Sequence, residues 1–489
     1  MKTARHLVLL LLCALTFLPA GAQAGKPAAK PAPTVPPTWK QVPIPALKPF
    51  HPQEPRRVEL QNGMVIFLEP DHELPMIDGT VRIRGGRRDE PAPKTGLSAV
   101  YSEAWRTGGT KSKTGDELDD FLETRAALVE TSSGADSTFL SWSSPKEVFD
   151  PVFAVVMDLL QNPEFRQEKI NLAKKQIKSA IARRNDDINA IAARESTKLA
   201  YGADSPYART AEYATIAAVT RDDLVQWHKR TVAPNNIILG MAGDFDPAEM
   251  ERKLRAAFAG LPQGTRLQTP EIAFHPAHGL FLIEKNDVNQ SDISMVDLGI
   301  ERRNPDYYAV EVFNQLFGGS FTSRLVANIR TKLGLAYSVG GGIGAAYDHP
   351  GIFRIAMGTK SDSTAAALDA LNHQLVEISK GGIKESELRT AKDAILNSFV
   401  FAFDSKEKVL AERMAYEFYG YPADFLERYR AGIEKVTVAD VNEVAKKYVH
   451  PERMAVLVAG NAKEFDRDLS TFGKVTKIDI TIPTAGEQE

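Results

Sequence analysis

The stretch GLSAVYSEAWRTGGT, residues 96–110, reads as a helix that opens behind a glycine and stops at Gly108-Gly109, with Glu103 in its middle. A helical carboxylate can act as a general base or a metal ligand, but either role needs companions within reach. None is close in the chain, because no histidine lies between His72 and His228. His275 and His278 form an H-x-x-H pair, yet Pro276 between them argues against a shared helix face. His51, His72, His228, His349, His373 and His450 are scattered, and each reads as a surface or structural residue. Nucleophilic chemistry fares no better. Cys13 is the only cysteine, no G-x-S-x-G is present, and no glycine-rich phosphate loop precedes a helix. Gly340-Gly341-Gly342 lies in a strand-like run and reads as a bulge or a close backbone approach. Glu103 is therefore expected to face solvent or to pair with a nearby arginine such as Arg106.

The elements that position these residues follow from the whole chain. Its 489 residues favour two or more domains, and 43% hydrophobic with 25% charged residues is a globular balance. A net charge of −3 does not suggest nucleic acid or an anionic membrane as a partner. Residues 1–24 combine Lys2, Arg5 and His6 with the apolar run Leu7–Leu18 and the small-residue site Ala22-Gln23-Ala24. This is the pattern of a secretory signal peptide, and it is too short to span a bilayer comfortably. A lipid anchor on Cys13 would require small residues before it, where Leu10, Leu11 and Leu12 stand. Cleavage would remove Cys13, Lys2 and Arg5, leaving a cysteine-free chain of charge −5, suited to an oxidising compartment. An exported protein, periplasmic or secreted and with no membrane span after cleavage, is expected. Residues 25–53 hold nine prolines and read as an extended leader, either a spacer or a strap.

Beyond the leader the chain repeats. Val219-Thr220-Arg221-Asp222-Asp223 leads to Pro234 and then to Ala242-Gly243; Val436-Thr437-Val438-Ala439-Asp440 leads in the same way to Pro451 and Ala459-Gly460. Thr220 and Thr437 each precede an acid by three residues, the capping-box spacing. Two homologous domains, 54–262 and 275–489, joined by a linker at 263–274, are expected. In each, alternating strands come first, then helices, a hairpin-like pair, a long helix (Glu168–Arg194 and Ser386–Phe403), a capped helix and a closing strand. The fold class is α+β, each domain a mostly antiparallel sheet with helices packed on one face.

Leu60-Gln61-Asn62-Gly63, the Gly96-Leu97 helix, and the segment Ser323-Arg324-Leu325 … Ile329-Arg330 … Gly334-Leu335-Ala336-Tyr337-Ser338-Val339 resemble the pitrilysin, insulinase and processing-peptidase family of inverted H-x-x-E-H zinc peptidases. The resemblance covers essentially the whole chain after the leader. It implies two tandem domains forming a half-shell, and a first-domain helix whose two histidines grip zinc while a glutamate activates water. At those positions this sequence has Ala99 and Glu103 for the histidines and Ser102 for the glutamate, and Ala180 replaces the downstream glutamate ligand. A methyl group cannot ligate zinc, and a serine hydroxyl is a poor base near neutrality. The resemblance thus implies that this chain binds no metal and has no catalytic residue of its own.

The same resemblance assigns Arg330 and Tyr337 to substrate held at a partner's zinc. The arginine would bind a peptide carbonyl or terminus, and the tyrosine would donate to the developing oxyanion. Without the family, Arg330 is a cation near a helix end that Gly334 terminates, and Tyr337 an aromatic opening a strand. Arg324 is expected to fix the local turn. The strands around Thr131–Trp142 and Leu335–Gly341 are expected edges for peptide addition. Two readings result. In one, the chain is the non-zinc subunit of a two-chain metalloendopeptidase, inactive alone and active on peptides only with a zinc-bearing H-x-x-E-H partner. In the other, it is an inactive peptide-binding or scaffold protein of the cell envelope.

Overall fold

The computed structural model describes residues 53–483; the expected signal peptide and nearly all of the leader lie outside them. In the first half, β1 (Arg56–Glu59), β2 (Val65–Pro70) and β3 (Met76–Arg84) precede α1 (Leu97–Thr107) and α2 (Gly115–Glu123). The hairpin β4 (Leu128–Ser133) and β5 (Ser137–Pro145) follows. Then come α3 (Phe149–Gln161), α4 (Gln167–Ala182), α5 (Ile188–Tyr201), α6 (Tyr213–Ala218), α7 (Arg221–Thr231), β6 (Ile237–Gly243) and α8 (Pro247–Phe258). The second half opens with β7 (Gly279–Glu284), β8 (Gln290–Leu298), β9 (Ile300–Glu301) and α9 (Tyr307–Phe317). After a π-helical segment (Val326–Lys332) come β10 (Ser338–Ala346), β11 (Pro350–Lys360), α10 (Thr364–Ser379), α11 (Glu385–Ser398) and α12 (Lys406–Tyr419). It closes with α13 (Phe425–Lys435), α14 (Val438–Tyr448), β12 (Ala455–Gly460) and β13 (Val475–Lys477).

The strands form two sheets, ordered β1-β2-β6-β3-β5-β4 and β13-β7-β12-β8-β11-β10-β9. In both, the closing strand of the half inserts beside an early one: β6 lies parallel to β2 and antiparallel to β3, and β12 lies parallel to β7 and antiparallel to β8. Both expected capping boxes are present, with Thr220 accepting from the Asp223 amide and Thr437 from the Asp440 amide.

Central strands such as Ile237–Gly243 read as continuous apolar runs because both of their faces are buried. Ile66, Leu68, Leu239 and Met241 face the half's own helices, while Val65, Phe67, Ile238 and Ala242 face the other way. What covers that second face is a helix from the other half. Leu410, Met414 and Phe418 of α12 pack on β2 and β6 of the first sheet. Ile191, Ala192 and Leu199 of α5 pack against Val296, Leu457 and Ala459 of the second. The two exchanged helices are equivalent elements of the repeat, each 14 residues long. Reciprocal exchange makes each half's sheet complete only in the presence of the other.

This exchange explains one departure from the sequence expectation. Glu168–Arg194 is not a single helix: it breaks over Arg183–Asp187, where Asp187 caps α5 by accepting from the Ala190 amide at 2.7 Å. Asn185, Asp186 and Asp187 favour turns through local side-chain bonds to backbone, and the break redirects the chain toward the second sheet. The second half repeats the device, with α11 ending at Ser398 in a short 3₁₀ turn before α12.

Candidate functional site

Helix α1 carries Leu97, Val100, Tyr101, Ala104 and Trp105 on a buried stripe at helical spacing. It starts at Gly96, whose φ of +100° places it in the left-handed region; a Cβ there would lie 2.5 Å from Ile216 Cδ1. The buried Glu90 carboxylate receives the first free amides, from Gly96 and Ser98, at 2.7 Å each, together with the Ser98 hydroxyl. Burial pushes this carboxyl up, and those donors pull it back down. A side chain six residues before the helix is not a cap that sequence spacing exposes.

The outward face of α1 bears the positions of interest. Ala99 and Glu103 are exposed, as is Ala180 on α4. Ser102 is buried, its hydroxyl bonded to the Ala99 carbonyl at 3.2 Å, and its carbonyl accepts from Thr131 Oγ1. Arg106 does not pair with Glu103; it is committed to Asp119 and to the Val129 carbonyl, which leaves Glu103 facing solvent. Among the described residues, no three of His, Cys, Asp or Glu are grouped so as to hold a metal.

The histidines resolve individually. His278 contacts the Arg453 carbonyl, and His72 pairs with Asp244. His228, on α7, is part of the core. Its Nε2 lies 2.9 Å from the Leu160 carbonyl, which can only accept, so Nε2 carries the proton and Nδ1 accepts from Tyr101 Oη at 2.8 Å. Burial pushes this imidazole down to about 4. The unfolded chain therefore binds one proton more than the folded chain between about pH 6.5 and 4. Stability should fall as pH drops through that window, by about 3 kcal/mol from this residue. Urea midpoints at pH 7 and 4.5 for wild type and His228→Gln check it: the variant should lose much of the difference.

Arg330 and Tyr337 come together in the second half. The π-helical segment sets Arg330 beside the start of β10, with its guanidinium 5.4 Å from the Tyr337 ring centroid and 5.2 Å from that of Phe321. Tyr337 is 86% exposed and Phe321 78%. Arg330 forms no ion pair or side-chain hydrogen bond with another described residue, so its donors are uncommitted. All three residues line a cavity of about 770 Å³ bounded by β8, β10, β11 and α5. Arg324 does not merely fix its own turn: it binds Glu387 through two contacts of 2.7 and 2.8 Å and the Gly382 carbonyl at 3.0 Å, tying the base of this segment to α11.

The glycine run in β10 makes a close backbone approach. Gly341 has φ of +139°, and a Cβ there would sit 2.0 Å from the Arg354 carbonyl. The register shift falls between Ile343 and Ala345, just past the run. The outer edge of β10 meets β9 only at Ala345 and Ala346, but the Asn314 side chain bonds both the amide and the carbonyl of Ile343, and Gly341 donates to Gly318. The open edge is thus confined to the start of the strand. In the first half, Thr131–Trp142 is the β4–β5 hairpin, where only β4 is an edge strand; β5 is paired on both sides.

Residues 218–395 match the family described as the Peptidase M16 inactive domain. The chain is 23% identical over 413 residues to the Non-peptidase homolog YmxG of Helicobacter pylori, covering 83% of this chain and 93% of that protein. It is 24% identical over 355 residues to the Uncharacterized zinc protease YmxG of Bacillus subtilis, covering 72% and 85%. The crystal structure of a peptidase M16 inactive domain from Pseudomonas fluorescens has the same fold, with a TM-score of 0.74 at 24% identity over 83% of this chain and 98% of that one. The chain thus matches the peptidase M16 inactive domain over residues 218–395, and over most of its length it is similar to proteins described as a non-peptidase homolog and an M16 inactive domain.

Proposed function

We propose that this chain is the non-zinc subunit of a two-chain peptidase, supplying Arg330 and Tyr337 to a peptide held at the zinc of an H-x-x-E-H partner. The observation that carries this reading is the state of the pair. A guanidinium with no ion pair or side-chain hydrogen bond to another described residue and a phenol at 86% exposure stand together on the wall of a cavity of about 770 Å³. An arginine with only a structural role would ordinarily have its donors taken, as Arg324 does. The forked guanidinium can hold a peptide carbonyl, and the phenol can donate to an oxyanion that forms when zinc-bound hydroxide attacks. The expected signal sequence would place the assembly outside the cytoplasm.

Metal content and peptide hydrolysis of the purified chain test the reading first. It should hold no stoichiometric zinc, cleave no peptide alone, and co-elute with an H-x-x-E-H homologue encoded beside it. Zinc at one per chain, or hydrolysis by the chain alone, would refute it. Failure to associate with any such homologue would favour the inactive binding protein.

A further inference from the structure

The floor of the cavity holds an acid that the Arg330–Tyr337 reading does not use. On β8 the odd residues Ile293 and Met295 enter the half's own core, and the even ones face α5. That second face is apolar where α5 covers it, at Val296 and Ala455 opposite it. Two and four residues back along the same strand it becomes Ser294 and Asp292, with Gly358 opposite the acid, and there the cavity opens. Asp292 is 7% exposed. It accepts from Ser294 Oγ at 2.9 Å and forms no ion pair with another described residue. Arg354, which shares the cavity, bonds α5 through one guanidinium nitrogen, to the Ala193 carbonyl and Thr197 Oγ1.

The repeat supplies an internal comparison. Asp78 of β3 matches Asp292: one lies opposite Ala242 in the first sheet, the other opposite Ala459 in the second. Four residues on from Asp78 stands Arg82, which lines the same small cavity of about 240 Å³ under α12 and stacks 3.8 Å from the Phe418 ring. Four residues on from Asp292 stands Val296. The first half thus has its arginine on the acid's own strand, paired with Asp136 and packed on Phe418, whereas in the second half the arginine, Arg354, stands on β11 opposite Val296, and Asp292 lines an open cavity without an ion pair to a described residue. A buried carboxylate of this kind is stabilised by a cation from outside.

We propose that Asp292 is a specificity-determining subsite for a cationic group of the bound peptide, the ammonium or guanidinium of a basic side chain or a free amino terminus. This rests on the reading that peptide occupies the cavity lined by Arg330 and Tyr337. The charged groups facing Asp292 are Arg354 from β11 and Asp187 at the start of α5, which act on it in opposite directions. Burial outweighs both and pushes the carboxyl up to about 6, so the subsite is charged at pH 7.5 and largely neutral at pH 5.

Fluorescence anisotropy with the full chain and three labelled heptapeptides tests the proposal. They are an N-acetylated peptide with a central lysine, its norleucine counterpart, and the norleucine peptide with a free amino terminus. At pH 7.5 one of the two cationic peptides should bind roughly tenfold more tightly than the acetylated norleucine peptide, as a charge-assisted contact would give. Which one it is separates side chain from terminus. In Asp292→Asn that preference should vanish while the norleucine affinity and the melting temperature stay unchanged, and wild type should show little preference at pH 5. Absence of a preference in wild type, its survival in Asp292→Asn, or equal weakening of all three peptides would overturn the proposal. Arg330→Ala should weaken the acetylated norleucine peptide itself, and an unchanged affinity there would count against the peptide-cavity reading separately.

Discussion

Replacing Arg330 with alanine is expected to lower turnover of the reconstituted two-chain enzyme by roughly 10²–10³-fold, the range for loss of one preorganised donor to a developing oxyanion or its scaffold. The expectation follows from the side chain's surroundings. Arg330 stacks between the Phe321 and Tyr337 rings, and its donors engage no other described residue. Removing it should therefore leave the fold intact and act on substrate. Tyr337→Phe keeps the ring against the guanidinium and deletes only the hydroxyl. It should lower kcat with little change in KM if the phenol acts in the transition state alone. Equal melting temperatures for the two variants and wild type would separate chemistry from folding. Unchanged turnover in Arg330→Ala would remove the residue from the mechanism.

The second large effect concerns helix α1. Tyr101→Ala should destabilise the protein by about 3–5 kcal/mol, the cost of deleting a fully packed aromatic side chain. Tyr101 is 0% exposed and its ring lies 5.2 Å from that of Trp105 and 5.6 Å from that of Phe165. Its hydroxyl also supplies the donor to His228 Nδ1, so truncation leaves a buried acceptor unsatisfied. Through His228 and the Leu160 carbonyl, that bond joins α1 to α7 and α3. Tyr101→Phe, which removes the hydrogen bond and keeps the ring, should cost only about 1 kcal/mol. Denaturant midpoints at pH 7 measure both. The inward stripe of α1 holds the first core together, and Ala99 and Glu103 ride on the opposite face.

Local chemistry was legible in the sequence. The Thr220 and Thr437 caps and the close approach at Gly341 depend on residues within one or two turns or on a repeated spacing. What the sequence did not disclose depends on partners far along the chain. The apolar runs of β2 and β6 indicate burial on both faces, but nothing local says that α12, some 170 residues beyond β6, provides the second cover. Glu168–Arg194 keeps a helical pattern across Asn185-Asp186-Asp187, so the break between α4 and α5 became evident only in the fold. Asp292 is the sharpest case. In QSDISMVDL its alternation with Ile293 and Met295 reads as the solvent face of an ordinary strand. Only the position of α5 shows that this face borders a cavity.

The most direct test of the central claim is the rate of peptide hydrolysis as this chain is titrated against its H-x-x-E-H homologue at fixed total protein. The rate should be near zero with either chain alone, rise to a maximum at an intermediate ratio, and be abolished by a zinc chelator. Full activity from the homologue alone, unaffected by adding this chain, would contradict the account.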